Sequence, residues 1–383
     1  MRLSTILASI VCIVLACFGR FTSLASADIP DVELDFRLQL AAQYLTRIQD
    51  ENGQFRYEYN FVTSKFSKKN SIVRQAGTAH ALAEYLRASA DERFAPAVKN
   101  AVAMLQAQSV SLGDGLVVTV DGDIDKARTG ATALALLTVT FYAQATGDES
   151  YESFQASLID GLAELQLPDG HFESTPGSGE YSPYFDGEAW YALAEFNRKM
   201  PDHHLVSEML ETADGTMIDY YTDNPDIGFS HWGMLAASTR YRATGEARFL
   251  DFLEHQGAIF IDELRPEHKP RVNNCYSIEG LGSAAVALAE GGRRDNALWS
   301  RIVARVDQDT RNNNRFQILP GQGIILLGPK SKLIHDRLKE FEGAFLNGQT
   351  RPQTRIDFTQ HCMSALLKYK ALKTFGDIER KTE

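Results

Sequence analysis

Six ionisable side chains stand at matching places in the sequence, each at the start of an Ala- and Leu-rich stretch that carries few charges. Two are acids, two are imidazoles and two are guanidinium groups: in chain order Arg74, Arg128, Glu188, His231, Glu279 and His361. Polar groups that converge in a concave site are the usual basis of binding and catalysis. A fold that brings the six together would therefore supply acids, bases and cations to one site.

The acids of this set indicate one chemistry, the hydrolysis of a glycosidic bond. That reaction needs one protonated and one ionised carboxyl group on either side of the bond. Glu188 with Glu279, or Asp186 with either of them, could supply the pair. On this hypothesis the three acids are catalytic.

The imidazoles indicate a second chemistry, the removal of a proton from a carbon next to a carboxylate. Epimerisation and β-elimination need a base and an acid that flank this carbon, and a cation that neutralises the carboxylate. His231 and His361, with Tyr57 or Tyr59, could be the base and the acid. The two Arg residues of the set could bind the carboxylate, since the guanidinium fork fits two oxygens. Under either chemistry, two Arg residues at one site predict an anionic substrate.

Aromatic residues crowd the segments around these positions, as expected for a cleft that binds sugars. The C–H face of a sugar ring stacks on a flat aromatic ring, while acids, amides and Arg bind the hydroxyl groups. The same ring types also fill protein cores, so the sequence leaves open which of them face the cleft. The rings predicted to bind substrate are Tyr57, Tyr59, Tyr184, Trp232 and Tyr276.

The stretches that follow the six residues predict helices packed on every side, because they are apolar nearly all round and rich in short side chains. These inner stretches are 76–86, 131–142, 189–196, 234–241, 281–289 and 363–372. Amphipathic stretches with one charged face alternate with them, beginning with 34–48 and including 94–106, 151–165 and 249–261. Six antiparallel helical hairpins are therefore predicted.

Short turn phrases at 88–94, 145–151 and 243–249 join inner to outer stretches. Gly147 and Gly245 supply the left-handed residue that commonly ends a helix. Strands are scarce, and 116–120 and 316–319 are the best candidates. The stretch 311–315, which reads Arg-Asn-Asn-Asn-Arg, is predicted to be an exposed loop.

This all-α pattern resembles the (α/α)6 toroid of the six-hairpin glycosidase-like superfamily, in which inner helices line the axis of a closed ring. The resemblance is architectural, and the phrase 184–193 is similar to inner-helix sequences of several such enzymes, epimerase-like domains included. It implies a hydrolase, a polysaccharide lyase, a uronate C5-epimerase or a sugar 2-epimerase. The alternative is an open helical solenoid that binds proteins.

Two phrases, 49–55 and 166–172, both read Gln-x-x-[Asn/Asp]-Gly-x-Phe. They resemble a turn motif of triterpene cyclases and prenyltransferase β subunits, where the motif ties an outer helix to the next loop. The Asp-x-Asp-Asp motif of the cyclases and the zinc triad of the prenyltransferases are not found in the sequence. Terpene and prenyl-transfer chemistry are therefore disfavoured.

The N-terminal segment predicts the compartment. Arg2, an apolar run over 3–18 and Ala25-Ser26-Ala27 are typical of a secretory signal that is cleaved after residue 27. Residues 28–383 would then form a single toroid domain, periplasmic or secreted, without stable membrane insertion of the mature chain. The alternatives are an N-terminal membrane anchor and a lipoprotein attached at Cys17.

Composition and cysteine content exclude other classes. The 383 residues are 44% hydrophobic and 23% charged, which is typical of a soluble globular protein. A net charge of −11 disfavours nucleic acid as a partner. Cys275 and Cys362 could form a disulfide or be buried separately. No Cys or His spacing indicates zinc, so neither a metal nor another cofactor is predicted.

These observations together predict an exported carbohydrate-active enzyme that acts on an acidic poly- or oligosaccharide by general acid and base chemistry. Hydrolysis ranks narrowly ahead of epimerisation or elimination, because many toroid enzymes use paired acids. A non-catalytic glycan-binding protein for polysaccharide export or assembly is the remaining alternative. The sequence leaves open the sugar, its linkage, the stereochemical outcome, metal dependence and the oligomeric state.

Overall fold

The computed structural model describes residues 29–328 and 330–376. The predicted signal segment, residues 1–27, lies outside the described residues, so its cleavage stays a prediction. Among the described helices, none is both long and apolar enough to span a membrane.

The described residues form twelve α-helices that alternate between an outer and an inner position. The outer helices are α1 (Asp31–Ile48), α3 (Ala95–Ala107), α5 (Glu152–Leu165), α7 (His204–Asp223), α9 (Ala247–Ile259) and α11 (Ala297–Asn314). The inner helices are α2 (Ile72–Ser89), α4 (Thr129–Thr146), α6 (Pro183–Lys199), α8 (Ile227–Thr244), α10 (Cys275–Glu290) and α12 (Ile356–Gly376). The six predicted hairpins are confirmed.

The inner helices form a closed ring. Each contacts the next in the order α2, α4, α6, α8, α10 and α12, and α12 contacts α2. The closure excludes an open solenoid. Small side chains make such packing possible: residues 129–142 of α4 are all buried, and many are Ala, Gly or Thr.

The turns that end the inner helices follow the predicted backbone geometry. Gly147 and Gly245 end α4 and α8 in the left-handed region, with φ angles of 70° and 73°. Ala90 takes the same place after α2 with a φ of 53°. A residue with a Cβ atom is strained in this region, so the conformation of Ala90 costs the folded protein some stability.

Within the described ranges, seven short strands lie in the connections between helices. Strands β1 (Glu58–Asn60), β2 (Lys65–Phe66) and β7 (Gln353–Arg355) form an antiparallel sheet in the order β2, β1, β7. Two hairpins complete the set: β3 (Ser109–Leu112) with β4 (Gly115–Val118), and β5 (Ile324–Gly328) with β6 (Ser331–Ile334). The strand predicted at 116–120 corresponds to β4, whereas 316–319 forms only an isolated bridge between Gln317 and Phe345.

The repeated Gln-x-x-[Asn/Asp]-Gly-x-Phe motif ties each outer helix to the next outer helix. Gln49 at the end of α1 donates from Nε2 to the Ala97 carbonyl of α3, and Gln166 after α5 donates in the same way to Met209 of α7. Gly53 is required because its φ is +83° and a Cβ would lie 2.3 Å from the Asn100 carbonyl oxygen. The motif is structural, as its resemblance implied.

The prediction of an exposed loop at 311–315 was wrong. This stretch forms the end of α11, and the side chains of Asn312, Asn313 and Asn314 are buried. Asn312 donates from Nδ2 to the Val272 carbonyl, and the Oδ1 atom of Asn313 accepts from the Asn274 amide. The side-chain amides thereby replace regular secondary structure as partners for the loop.

Cys275 and Cys362 form a disulfide bond, which resolves the alternatives left open by the sequence. The bond joins the first turn of α10 to α12. It therefore fixes two inner helices beside the candidate site.

Candidate functional site

The first turns of the inner helices surround a cavity of about 600 Å³, a size usual for small-ligand sites. Of the six residues that the repeat pattern predicts, Arg74, Glu188 and His361 line this cavity. His231 and Glu279 lie behind His361 as a buried pair. The other polar and aromatic side chains of the wall are Ser71, Tyr184, Phe185, Trp232, Arg265, Asn273, Tyr276, Arg355, Asp357, Phe358 and Gln360.

Glu279 accepts hydrogen bonds from two imidazoles. Its Oε2 atom lies 3.1 Å from His231 Nε2 and 2.8 Å from His361 Nδ1. His231 and Glu279 are nearly inaccessible, whereas 15% of the His361 side chain is exposed. An ionised carboxylate can only accept, so both ring nitrogens donate. Neutral His361 then carries its lone pair on Nε2, which makes that atom available as a base.

Burial sets the charge of this buried pair. It lowers the pKa of His231 to about 4, so this imidazole is neutral at pH 7. Its Nδ1 atom has no partner among the described residues. Burial alone would raise the pKa of Glu279, but the two imidazoles outweigh it and hold this pKa well below its ordinary value. Glu279 is therefore an anion that orients the His361 ring.

Glu188 is a buried carboxyl group without a charged partner. Its side chain lines the cavity, and among the described residues no group hydrogen-bonds to its Oε2 atom. Burial raises the pKa of Glu188 well above its ordinary value, which favours the protonated form of the group. A protonated carboxyl group at the cavity wall can donate a proton to a bound ligand.

His361 and Glu188 face each other across the ring. His361 belongs to α12 and Glu188 to α6, which are separated by two inner helices in either direction around the closed ring. A ligand in the cavity therefore has an imidazole on one side and a protonated carboxyl group on the other.

Three guanidinium groups give the cavity a positive charge. Arg74 binds Asp357 through Nε at 3.0 Å, and Arg355 binds the same carboxylate through Nε and Nη2 at 2.6 and 2.7 Å. Arg265 also lines the cavity, and its side chain has no hydrogen-bond or ion-pair partner among the described residues. With Glu188 neutral, three cations stand against the single anion of Asp357 at the wall. The wall thus favours an anionic ligand in a protein whose net charge is −11.

The predicted aromatic residues Tyr184, Trp232 and Tyr276 line the cavity. The ring of Tyr276 covers His231 at a centroid distance of 3.9 Å, and its hydroxyl donates to the Gly228 carbonyl at 3.0 Å. Burial raises the pKa of Tyr276 well above its ordinary value, so the phenol stays neutral. Tyr184 is 46% exposed and stands at the rim.

Comparison with known proteins adds structural neighbours only. No family model and no curated protein matches the sequence. The GH76A alpha-1,6-mannanase from Salegentibacter sp. HEL1_6 superposes with a TM-score of 0.66 at 10% identity, over 88% of this chain and 99% of that one. A D-mannose isomerase superposes with a TM-score of 0.63 at 12% identity, over 91% of this chain and 100% of that one. An unsaturated glucuronyl hydrolase specific for heparin superposes with a TM-score of 0.59 at 13% identity, over 90% of this chain and 99% of that one.

The protein has the (α/α)6 toroid fold. The predicted architecture is thereby confirmed. At these identities the likeness is one of fold, so the chemistry of the toroid has to be argued from its own cavity.

Three predicted site residues lie elsewhere in the toroid. Asp186 is fully buried and accepts from His171 Nδ1, the Tyr221 hydroxyl and the Phe172 amide. Residues two apart on a helix do not share a face, so Asp186 points away from the cavity that Glu188 lines. The prediction that Asp186 is catalytic is corrected accordingly.

Arg128 and Tyr59 also require correction. Arg128 precedes α4 as its N-cap residue, and its guanidinium group binds the Ala127 carbonyl and the Thr175 hydroxyl instead of lining the cavity. Tyr59 is buried in an aromatic cluster, stacked on Phe341 at 4.6 Å. Tyr57 is buried and hydrogen-bonds through its hydroxyl to Arg74, so it positions a cavity residue.

The sequence analysis missed Arg265, Asn273, Arg355 and Asp357. Arg265 and Asn273 lie on the loop before α10, and Arg355 ends β7, so no helical period marks them. The phrase Arg355-Ile356-Asp357 at the start of α12 was the available signal, because it places a cation and an anion one turn before His361.

The ligand atoms of His231, Glu279 and His361 lie within 4.8 Å of one another. Two His residues and one Glu are a ligand set that catalytic zinc uses. Here the carboxylate oxygen already accepts from both imidazoles at hydrogen-bond distances. As described, the three side chains can also act as a proton-transfer network.

Proposed function

We propose that the protein removes a proton from a carbon of an acidic saccharide, as an epimerase or a lyase does. The observation that supports this most directly is the opposition of His361 and Glu188 across the cavity, with His361 oriented by a buried carboxylate. His361 Nε2 is the proposed base and Glu188 the proposed acid.

The assigned charges fit each step of this chemistry. His361 accepts the carbon-bound proton, and Glu279 stabilises the imidazolium that forms 2.8 Å away. The electron pair left on carbon is delocalised into the adjacent carboxylate, whose charge the Arg groups neutralise. In epimerisation Glu188 returns a proton to the opposite face of the carbon. In elimination it protonates the oxygen that leaves as the glycosidic bond breaks.

The carboxyl groups of the cavity support hydrolysis less well than they support epimerisation or elimination. We therefore place these two reactions ahead of hydrolysis, the reverse of the order predicted from the sequence. Glu279 is hydrogen-bonded behind His361, and both oxygens of Asp357 bind Arg residues. Among the described residues, Glu188 is the one cavity-facing carboxyl without a cationic partner. A paired-acid mechanism needs a second, ionised carboxyl that is free to act.

The acidic character of the substrate is proposed from Arg74, Arg265 and Arg355. Arg265 supports it most, because its guanidinium fork is unpaired and can bind both oxygens of a carboxylate. Among structural neighbours, one is named as a glucuronyl hydrolase and another as a mannose isomerase, which is consistent with sugar chemistry in such a cavity. The predicted signal segment supports action in the periplasm or outside the cell.

Proton NMR in heavy water tests the proposal. The protein from residue 28 onward is incubated with oligomers of glucuronate, galacturonate and mannuronate. Deuterium at the carbon next to the carboxylate identifies an epimerase, and new vinylic protons identify a lyase. New reducing ends without either signal would instead establish hydrolysis and refute the proposal.

Matched variants separate the cavity from the rest of the fold. His361→Gln and Glu188→Gln should each lower the rate by about 100-fold or more, the usual contribution of a general acid or base. Arg128→Gln is the control, because Arg128 is an ionisable residue at the same level of the ring that does not line the cavity. Full activity of His361→Gln would contradict the mechanism.

A further inference from the structure

A second aromatic surface lies beside the cavity and plays no part in the proposed chemistry. It consists of Tyr181 and Tyr220, which we call the tyrosine platform. Tyr181 is 36% exposed, although large aromatic side chains are usually well buried. Neither residue lines the cavity.

The platform is rigid. The Tyr181 hydroxyl donates to the Tyr220 hydroxyl at 2.7 Å, and the two rings meet edge to face at a centroid distance of 5.9 Å. The His171 ring stacks on Tyr181 at 4.0 Å with an interplanar angle of 12°. One face of Tyr181 is therefore covered from within the protein, while the exposed part of its ring remains available to a ligand.

His171 is itself held in place by Asp186. Its Nδ1 atom donates to Asp186 Oδ2 at 2.7 Å. Burial would lower the pKa of His171, but the hydrogen bond and charge of Asp186 outweigh it and raise this pKa. Asp186 and His171 thus form a fixed support beneath the platform. A surface that is fixed before binding loses little conformational entropy when a ligand arrives.

The platform adjoins the mouth of the cavity. Tyr181 precedes the rim residue Tyr184 by three positions, a backbone distance of at most about 10 Å even if fully extended. Tyr184 lines the cavity and is itself half exposed. The exposed part of the Tyr181 ring therefore lies within reach of a saccharide chain that leaves the cavity past Tyr184.

The charged side chains near the platform are acidic, whereas those of the cavity wall are mostly basic. Glu180 is exposed and directly precedes Tyr181, and Glu173 bridges to Tyr181 through the backbone. The Glu173 carboxylate accepts from the amides of Gly177 and Gly179 in the same loop. These anions would repel a uronate, whereas the cavity carries an excess of Arg. The platform suits an uncharged ring whose C–H face can stack on Tyr181.

We infer that the tyrosine platform is a binding subsite for an uncharged pyranose unit, linked to the acidic unit that reacts in the cavity. The inference rests on the proposed function and adds to it the composition of the substrate, an oligosaccharide that joins charged and uncharged sugars. The ring stacks on Tyr181, and the hydroxyl groups of Tyr181 and Tyr220 lie at its edge.

Isothermal titration calorimetry tests the subsite without turnover, because every protein carries His361→Gln. The probes are glucuronic acid, a hyaluronan hexasaccharide, in which glucuronate alternates with an uncharged N-acetylhexosamine, and a galacturonate hexamer, in which every unit is charged. We expect the hyaluronan hexasaccharide to bind at least tenfold more tightly than glucuronic acid. Tyr181→Ala should weaken binding of the hyaluronan hexasaccharide by about five- to tenfold, which is the range expected for the loss of one ring contact.

Two comparisons make the test selective. Tyr181→Phe keeps the ring, so it should bind the hyaluronan hexasaccharide within about threefold of its parent, since one hydroxyl contact contributes little. The affinity for glucuronic acid should be the same in all variants, because it occupies the cavity alone. Thermal denaturation confirms that Tyr181→Ala remains folded.

The inference is overturned if Tyr181→Ala binds the hyaluronan hexasaccharide as tightly as its parent, or if that probe binds no better than glucuronic acid. It is also overturned if Tyr181→Ala weakens the galacturonate hexamer equally, because the subsite would then accept a charged unit. Failure of the proposed proton transfer has a different signature, the absence of deuterium or vinylic protons with the active protein.

Discussion

Gly130 of α4 lies directly against the carboxyl group of Glu188 on α6. A Cβ atom at position 130 would stand 1.9 Å from Glu188 Oε2 and 2.6 Å from the nearest atom of the Phe185 ring. No side chain fits between these groups. The position of the proposed acid therefore depends on the absence of a side chain on the neighbouring helix.

Gly130→Ala should displace Glu188 and lower the rate of proton transfer by about 100-fold, comparable to losing the acid itself. The control is Gly215→Ala in the middle of α7, where a Cβ would meet no atom within 4 Å. That substitution should raise the free energy of unfolding by about 1 kcal/mol through helix propensity alone. Equal activity of Gly130→Ala and the parent would contradict the role of Glu188.

The raised pKa of Glu188 predicts how stability depends on pH. The neutral form is favoured in the folded state, so the unfolded state releases this proton at lower pH. The stabilisation is complete below the ordinary Glu pKa of about 4.3 and is lost as pH rises through the folded-state pKa. Glu188→Gln should therefore flatten the fall in Tm between acidic and alkaline pH. An unchanged pH profile of Tm would show that Glu188 is already ionised.

Glu279→Gln should lower kcat by about 100-fold or more while KM changes little, since an amide cannot neutralise the imidazolium formed at His361. Steady-state kinetics checks the split between the two constants. Arg128→Gln again serves as the control with an altered charge outside the cavity. A large rise in KM with unchanged kcat would mean that Glu279 contributes to substrate binding instead.

Reduction of the Cys275–Cys362 disulfide should destabilise the protein and impair the site. The bond closes a loop across a sequence separation of 87 residues, for which chain entropy predicts a loss of about 4 to 5 kcal/mol. Cys362 directly follows His361, so kcat should fall as well. Chemical denaturation with and without dithiothreitol measures the loss of stability, and the double variant Cys275→Ala/Cys362→Ala should not respond to the reductant.

Ala90→Gly should stabilise the protein by about 1 kcal/mol, because it relieves the left-handed strain of a Cβ atom at the end of α2. Gly147→Ala makes the reverse change at the equivalent turn after α4, where a Cβ meets no neighbouring atom. It should destabilise the protein by a similar amount. Two changes of the same sign would show that the turns are not equivalent.

Most of the ring could be predicted from the sequence, because apolar stretches, amphipathic stretches and Gly147 or Gly245 mark each hairpin locally. The matching positions at the starts of the inner stretches also placed Glu188 and His361 at one end of the ring. This matching failed for Asp186 because a shift of two residues on a helix turns the side chain to another face. It failed for Arg128 because a residue just before a helix can turn its side chain back to the loop.

The remaining cavity residues depend on contacts between distant segments. Arg265 and Arg355 belong to non-helical connections, where no period indicates the direction of a side chain. The pairing of Cys275 with Cys362 likewise requires the distance between α10 and α12. The sequence of the buried Asn residues at 312–314 is typical of a polar loop, since only the fold shows that Asn312 and Asn313 bind the loop 265–274.

The contact between α12 and α2 has a consequence for how the chain becomes active. It joins segments almost 300 residues apart, and the buried ion pair of Lys368 with Glu84 spans 284 positions. During synthesis the ribosome releases α12 after the other eleven helices. The same helix completes the wall and delivers His361, so a nascent chain with five hairpins has neither an enclosed cavity nor a base. Catalytic competence and structural completion thus arrive together.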